Sequence, residues 1–168
     1  VPRILVVHFS RTGHTRQVAQ SIATALAADI EEIVDPTRRT GILGYFRSGR
    51  EAWLKRLPSI APSVHDPGRY DMVVIGTPIW NTSLSAPVRS YLWRHRSRLP
   101  AVAFFLTCGG MGIDRVFRQM TEESGRAAVA TLAVREKELG TPALEAAIAR
   151  FTGEVTHALA PAHLAQPA

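Results

Sequence analysis

A doubly wound α/β fold, in which helices cover both faces of a parallel sheet, is predicted by three observations. Short runs that are apolar throughout recur along the chain. Amphipathic helical patterns alternate with them, and the first run breaks into a polar turn immediately before the first helical pattern. A strand that is apolar on both sides needs cover on both sides, and intervening helices supply it.

Residues 4–9 are apolar and β-branched and end in the polar turn 10–14. From Thr15 the period changes, with Val18, Ile22, Ala25 and Leu26 at helical spacing and Gln17, Gln20 and Ser21 between them. A short second strand, 30–34, is closed by Asp35-Pro36. Residues 72–76, 101–107 and the alanine-rich 127–134 are three further strands. Each is followed by a helical face: Leu84, Val88, Tyr91, Leu92 and His95, then Ile113, Val116, Phe117 and Met120, then Leu144, Ala147, Ile148, Phe151 and Val155. Residues 37–63 interrupt the alternation as a basic insert, in which Leu43, Phe46, Arg50, Trp53, Leu54 and Leu57 follow helical spacing. Residues 1–160 thus form one domain with that insert, and 161–168 read as a flexible tail.

The length of 168 residues with 46% hydrophobic content suits one domain, since a chain of about 150 residues buries roughly 70% of its unfolded surface. Apolar runs are far shorter than the roughly 20 residues that span a bilayer. Arg3 and the short run behind it lack the length and cleavage site of a secretory signal, so a cytoplasmic protein is expected. Cys108 is the sole cysteine, which excludes an intrachain disulfide and a cysteine-based metal cluster. The net charge of +6 is concentrated in residues 36–56 and 89–98. These segments form either an anion-attracting face or a solvated face in a chain whose cations are nearly all arginine. The 89–98 segment carries no nucleic-acid recognition motif, so nucleic acid is not the expected partner.

In open α/β sheets ligands bind beyond the carboxyl ends of the strands, where strand order reverses. The turn Ser10-Arg11-Thr12-Gly13-His14-Thr15 has one glycine, which excludes a dinucleotide fingerprint, and neither lysine follows a glycine, which excludes a P-loop. Strand one ends in His8-Phe9 and lacks the acidic residues of a phosphate receiver. Cys108 and Arg115 are one residue too far apart for a low-molecular-weight phosphatase. What the turn does offer is hydroxyls around a glycine at a helix amino terminus, where free N–H groups and the helix dipole attract a phosphate. Helix capping by Thr12 or Thr15 is the alternative. Thr77-Pro78-Ile79-Trp80-Asn81-Thr82 places a large aromatic after strand three, and Thr107-Cys108-Gly109-Gly110 lets main chain approach a planar ligand closely. Together these segments describe a phosphate cradle, an aromatic wall and a backbone-lined slot.

On these residues the chain resembles the flavodoxin-like FMN-binding family through about residue 159. The turn 10–15 matches the family's phosphate signature, (Thr or Ser)-x-Thr-Gly-x-Thr, and residues 70–80 and 107–110 resemble its two flavin loops. The resemblance implies a three-layer sandwich with a five-stranded parallel sheet of order 2-1-3-4-5 and FMN as cofactor. Ser10, Arg11, Thr12, Gly13, His14 and Thr15 would bind the phosphate. Thr77, Pro78, Ile79, Trp80, Asn81 and Thr82 would flank the isoalloxazine, with Trp80 against it, and Thr107, Cys108, Gly109 and Gly110 would contact the pyrimidine edge. The loop after strand four offers Met111 and Ile113 where many relatives stack a second aromatic, which leaves one ring face open to a substrate.

The expected function is an FMN-dependent oxidoreductase passing electrons from NAD(P)H or another donor to a quinone, another acceptor or a redox partner protein. No side chain is expected to be catalytic and no metal is expected. The alternative is a non-enzymatic electron carrier whose Tyr45, Phe46 and Trp53 dock an acidic protein, although the same aromatics suit packing of the insert onto the sheet. Cys108 is either a redox thiol or a small packing residue.

Overall fold

Isoleucine, leucine and valine at 4–7 give the first strand no polar face, and β1 (Ile4–His8) accordingly lies inside the sheet, with Leu5, Val6 and Val7 fully buried. The computed structural model describes residues 1–36 and 57–160. After β1 come α1 (His14–Leu26), β2 (Asp29–Glu32), β3 (Met72–Trp80), β4 (Ser83–Leu84), α2 (Ala86–His95), β5 (Ala101–Cys108), α3 (Ile113–Ser124), β6 (Ala128–Arg135) and α4 (Pro142–Leu159).

The main sheet has the order β2-β1-β3-β5-β6, and all of these pairings are parallel. This is the predicted 2-1-3-4-5 arrangement. β4 is an additional strand, pairing antiparallel with β3 through Ile79 with Leu84 and Trp80 with Ser83. Leu84, placed by its spacing on a helix, therefore belongs to a hairpin, and α2 begins at Ala86 with a proline in its first turn. The predicted helix in the insert lies almost wholly outside the described residues, as do Tyr45, Phe46, Trp53 and the tail 161–168.

Alternation along each strand divides the core between the two faces. Leu5, Val7, Val73, Ile75, Phe104 and Leu106 face α2 and α3, while Val6, Met72, Val74, Ala103 and Phe105 face α1 and α4. At Gly76 the phenyl ring of Phe105 takes the place of a side chain: an added Cβ would stand 1.9 Å from Phe105 Cζ. The connection from β1 runs to β2 on one side, and that from β3 runs to β5 on the other. The strand order therefore reverses between β1 and β3, and a crevice opens at their carboxyl ends. Among the described residues no helix is long and apolar enough to cross a membrane.

Candidate functional site

The turn after β1 is closed by Gly13, whose N–H donates to Ser10 Oγ at 3.1 Å. Gly13 is also the N-cap of α1, with φ of 98°, a left-handed conformation that strains any residue with a Cβ. No side chain caps this helix. Capping by Thr12 or Thr15, the alternative reading of the turn, is thus not what the structure builds. The first intrahelical bond joins Gln17 N–H to Gly13 O, and the N–H groups of the opening turn have no acceptor within the helix. A Cβ added at Gly13 would meet nothing within 4 Å, so this side of the turn is open.

β3 does not stop at Gly76. Gly76, Thr77 and Pro78 continue the pairing with β5, opposite Phe105, Leu106 and Thr107, and the chain reverses only at Asn81-Thr82. Both turn residues have positive φ, 46° and 58°, the twist that a two-residue hairpin requires. The turn rests on Gly112, where a Cβ would stand 2.9 Å from Thr82 Cα. Thr77 is fully buried: its hydroxyl donates to Pro78 O at 2.8 Å and lies 2.8 Å from Ser85 Oγ. Trp80 packs edge-on against Phe9 with ring centroids 5.3 Å apart, and only 6% of the residue is exposed.

The end of β5 completes the crevice. Thr107 is buried and joined to Thr15 through their hydroxyls at 2.7 Å. The Cys108 thiol is buried, and desolvation pushes its pKa above the ordinary value, so it remains a thiol at neutral pH. Gly109 is exposed and has nothing within 4 Å of where a Cβ would be.

Arg11, Thr12, Pro78, Ile79, Trp80, Thr107, Cys108 and Gly109 line one cavity of about 330 Å³ together with Glu136. Eight of the predicted site residues, from three different strand ends, are therefore brought together. Ser10 lines a neighbouring hollow of about 210 Å³, on the side of the turn facing Ile33 and Val34. Gly13, His14, Thr15, Thr77, Asn81, Thr82 and Gly110 are not part of the cavity lining: they shape the turns around it. Glu136 was not among the predicted residues. It follows β6 at the same edge of the sheet, and its Oε1 lies 3.5 Å from His14 Nδ1, linking the β6 end to the start of α1. The strand-end rule, applied to the last strand as well, would have found it.

The model of the flavodoxin family matches residues 3–139. The chain belongs to the flavodoxin family. No match is found among curated proteins. Solved structures similar to this flavodoxin-family chain include a flavoprotein in complex with FMN from Lactobacillus acidophilus NCFM, with TM-score 0.71 and 19% identity over 83% of this chain and 97% of that one. Oxidised Flavodoxin 2 from Bacillus cereus superposes with TM-score 0.60 at 14% identity, over 93% of this chain and 99% of its own. The rubredoxin oxygen:oxidoreductase from Desulfovibrio gigas matches with TM-score 0.62 and 15% identity over 98% of this chain but only 37% of that larger one.

Proposed function

We propose that this flavodoxin-family protein binds FMN in the cavity between β1, β3 and β5 and works as an FMN-dependent oxidoreductase. The observation that carries this reading is the junction of an uncapped helix end, with its glycine N-cap, and a cavity bordered by bare main chain at Gly109. Unsatisfied N–H groups at the start of α1 provide phosphate donors without lysine, and the hydroxyl of Thr12 adds a neutral one. Family membership and the FMN complex of the similar Lactobacillus acidophilus flavoprotein support the same cofactor.

FMN supplies the electron-transfer chemistry when bound. The protein's part is placement. Pro78, Ile79 and Trp80 form the more apolar side of the cavity, and Cys108 and Gly109 the main-chain side. Buried hydroxyl pairs tie two strand ends to the helices beside them: Thr107 of β5 to Thr15 in the first turn of α1, and Thr77 of β3 to Ser85 at the start of α2. Arg11 and Glu136 bring charges of opposite sign to the lining. Arg94, Arg96 and Arg98 lie near the amino end of β5, about 23 Å from the cavity at roughly 3.3 Å per strand residue. Screening over about 8 Å removes their field from the site.

Electron flow from NAD(P)H to a quinone or comparable acceptor is the reading favoured here, because the basic charge of the chain is unlike that of a carrier that docks onto basic partners. The second reading is a carrier without turnover of its own. The visible absorption spectrum with and without added FMN, joined to a calorimetric titration, tests the cofactor. Steady-state oxidation of NADH or NADPH by a quinone then separates the readings, since a carrier shows almost none without a partner reductase. Correctly folded protein that binds no FMN would overturn both.

A further inference from the structure

Another hollow lies at the opposite edge of the sheet from the cofactor cavity. There the C-terminal ends of α2 and α3 meet, and Trp93, Arg96, Ser97, Ser124, Gly125 and Arg126 line an open hollow of about 460 Å³. Its floor is built with care. Gly125 caps α3 in a left-handed conformation, φ 67°, and its N–H donates to Thr121 O at 2.9 Å. Arg96 lies directly against it, since a Cβ at Gly125 would stand 2.9 Å from Arg96 Nε and 3.0 Å from Nη2. Ser124 Oγ accepts the Arg126 N–H at 3.1 Å, which fixes the backbone that carries the second arginine.

The arginines around the hollow differ in how their charge is met. Arg98 is neutralised by Asp66 at 3.1 Å, and Arg89 by Glu123. Arg94 donates to the carbonyl oxygens of Ile60 and Ala61. Arg96 and Arg126 have no anionic partner among the described residues. Beside them Trp93 is 62% exposed, an unusual place for the largest aromatic. Tryptophan and arginine are the side chains that most often dominate binding energy at protein interfaces, and unpaired cations select a partner of opposite sign. A nucleic-acid backbone needs a continuous basic track. Here Asp66 and Glu123, paired with Arg98 and Arg89, place negative charge beside the hollow and interrupt such a track.

We propose that this hollow docks an acidic segment of a partner protein, with carboxylates on Arg96 and Arg126 and an apolar side chain over the Trp93 indole. The length of β5 separates the hollow from the cofactor cavity, so the partner is held while the cavity stays accessible. The interface is one for assembly, and electrons do not cross it.

The test uses the full chain and a blocked peptide of glutamates flanking a central leucine pair. Binding is followed through the indole N–H resonance of Trp93, identified by its loss in Trp93→Phe. The expected result is a saturable shift of that resonance, with affinity that falls as salt rises and weakens about tenfold or more in the Arg96→Gln/Arg126→Gln variant. FMN titration of the same variant is expected to match the parent, which shows that the fold is intact and keeps this test separate from that of the cofactor. No peptide binding, equal binding by the variant, or tighter binding of a single-stranded RNA oligonucleotide at the same resonance would each overturn the proposal.

Discussion

Thr15 Oγ1 and Thr107 Oγ1 lie 2.7 Å apart, joining the first turn of α1 to the end of β5 across 92 positions of sequence. Both residues are buried, so among the described residues each hydroxyl has the other as its hydrogen-bond partner away from water. Replacing one alone, Thr15→Val or Thr107→Val, leaves a buried hydroxyl without its partner and is expected to cost about 1–3 kcal/mol. The double variant removes both polar groups and is expected to recover part of that loss. Urea unfolding of the four proteins measures the coupling, and strictly additive losses would show that the bond carries no weight.

Thr82 occupies a left-handed conformation, φ 58°, that is costly for a β-branched residue. Asn-Gly is the preferred pair for a two-residue hairpin turn of this twist, and Asn81 already fills the first place. Thr82→Gly is therefore expected to raise stability by about 0.5–1 kcal/mol. A thermal midpoint that fell in the variant would mean that contacts of Thr82 with Gly112 outweigh the strain.

Arg89 is only 1% exposed and pairs with Glu123, while its Nε and Nη2 have no hydrogen-bond partner among the described residues. Removing the carboxylate strands a buried cation, and Glu123→Ala is expected to destabilise by about 3 kcal/mol or more. Arg89→Met combined with Glu123→Leu should be far milder, because both charges leave together. Denaturant midpoints of single and double variants decide the matter: a double variant as unstable as Glu123→Ala contradicts it.

His8 and His95 are both buried, and desolvation is the main cause that holds each pKa below its ordinary value of 6.5. His95 bonds through Nε2 to Ser63 Oγ at 2.8 Å, while neither ring nitrogen of His8 has a partner among the described residues. The folded chain thus binds these protons more weakly than the unfolded chain. Their contribution to stability is complete above 6.5 and is lost as pH falls through 6.5 toward the lower folded values. Denaturant unfolding between about pH 7.5 and pH 5 should show this decline, and His8→Asn with His95→Gln should flatten it. An unchanged slope in the double variant would assign the decline to other groups.

The alternation of strands and helices was legible because burial on both faces forces a sequence signature: Val6, Val74 and Ala103 are apolar for one face as Leu5, Val73 and Phe104 are for the other. The turn 10–15 was legible for a related reason, since only glycine suits the backbone angle at Gly13 and hydroxyls suit the helix end beside it. The continuation of β3 to Trp80 was not. Thr77-Pro78 reads locally as a turn, and the strand persists because β5 offers Leu106 and Thr107 as partners. Glu136 was within reach of the strand-end rule, because it follows the last strand directly, but its place at the cavity depends on the register that pairs Arg135 of β6 with Cys108 of β5.

By itself the sequence determined the layered fold, the edge of the sheet where a ligand would sit and the kinds of group gathered there. Only the tertiary structure decided which of these groups line the cavity and what else holds them: Thr15 is turned to Thr107 and stays out of the lining, whereas Trp80 lines the cavity with its ring edge-on to Phe9. The physical reason is range: periodicity records whether a residue is buried, whereas its partner is set by the pairing register of strands distant along the chain.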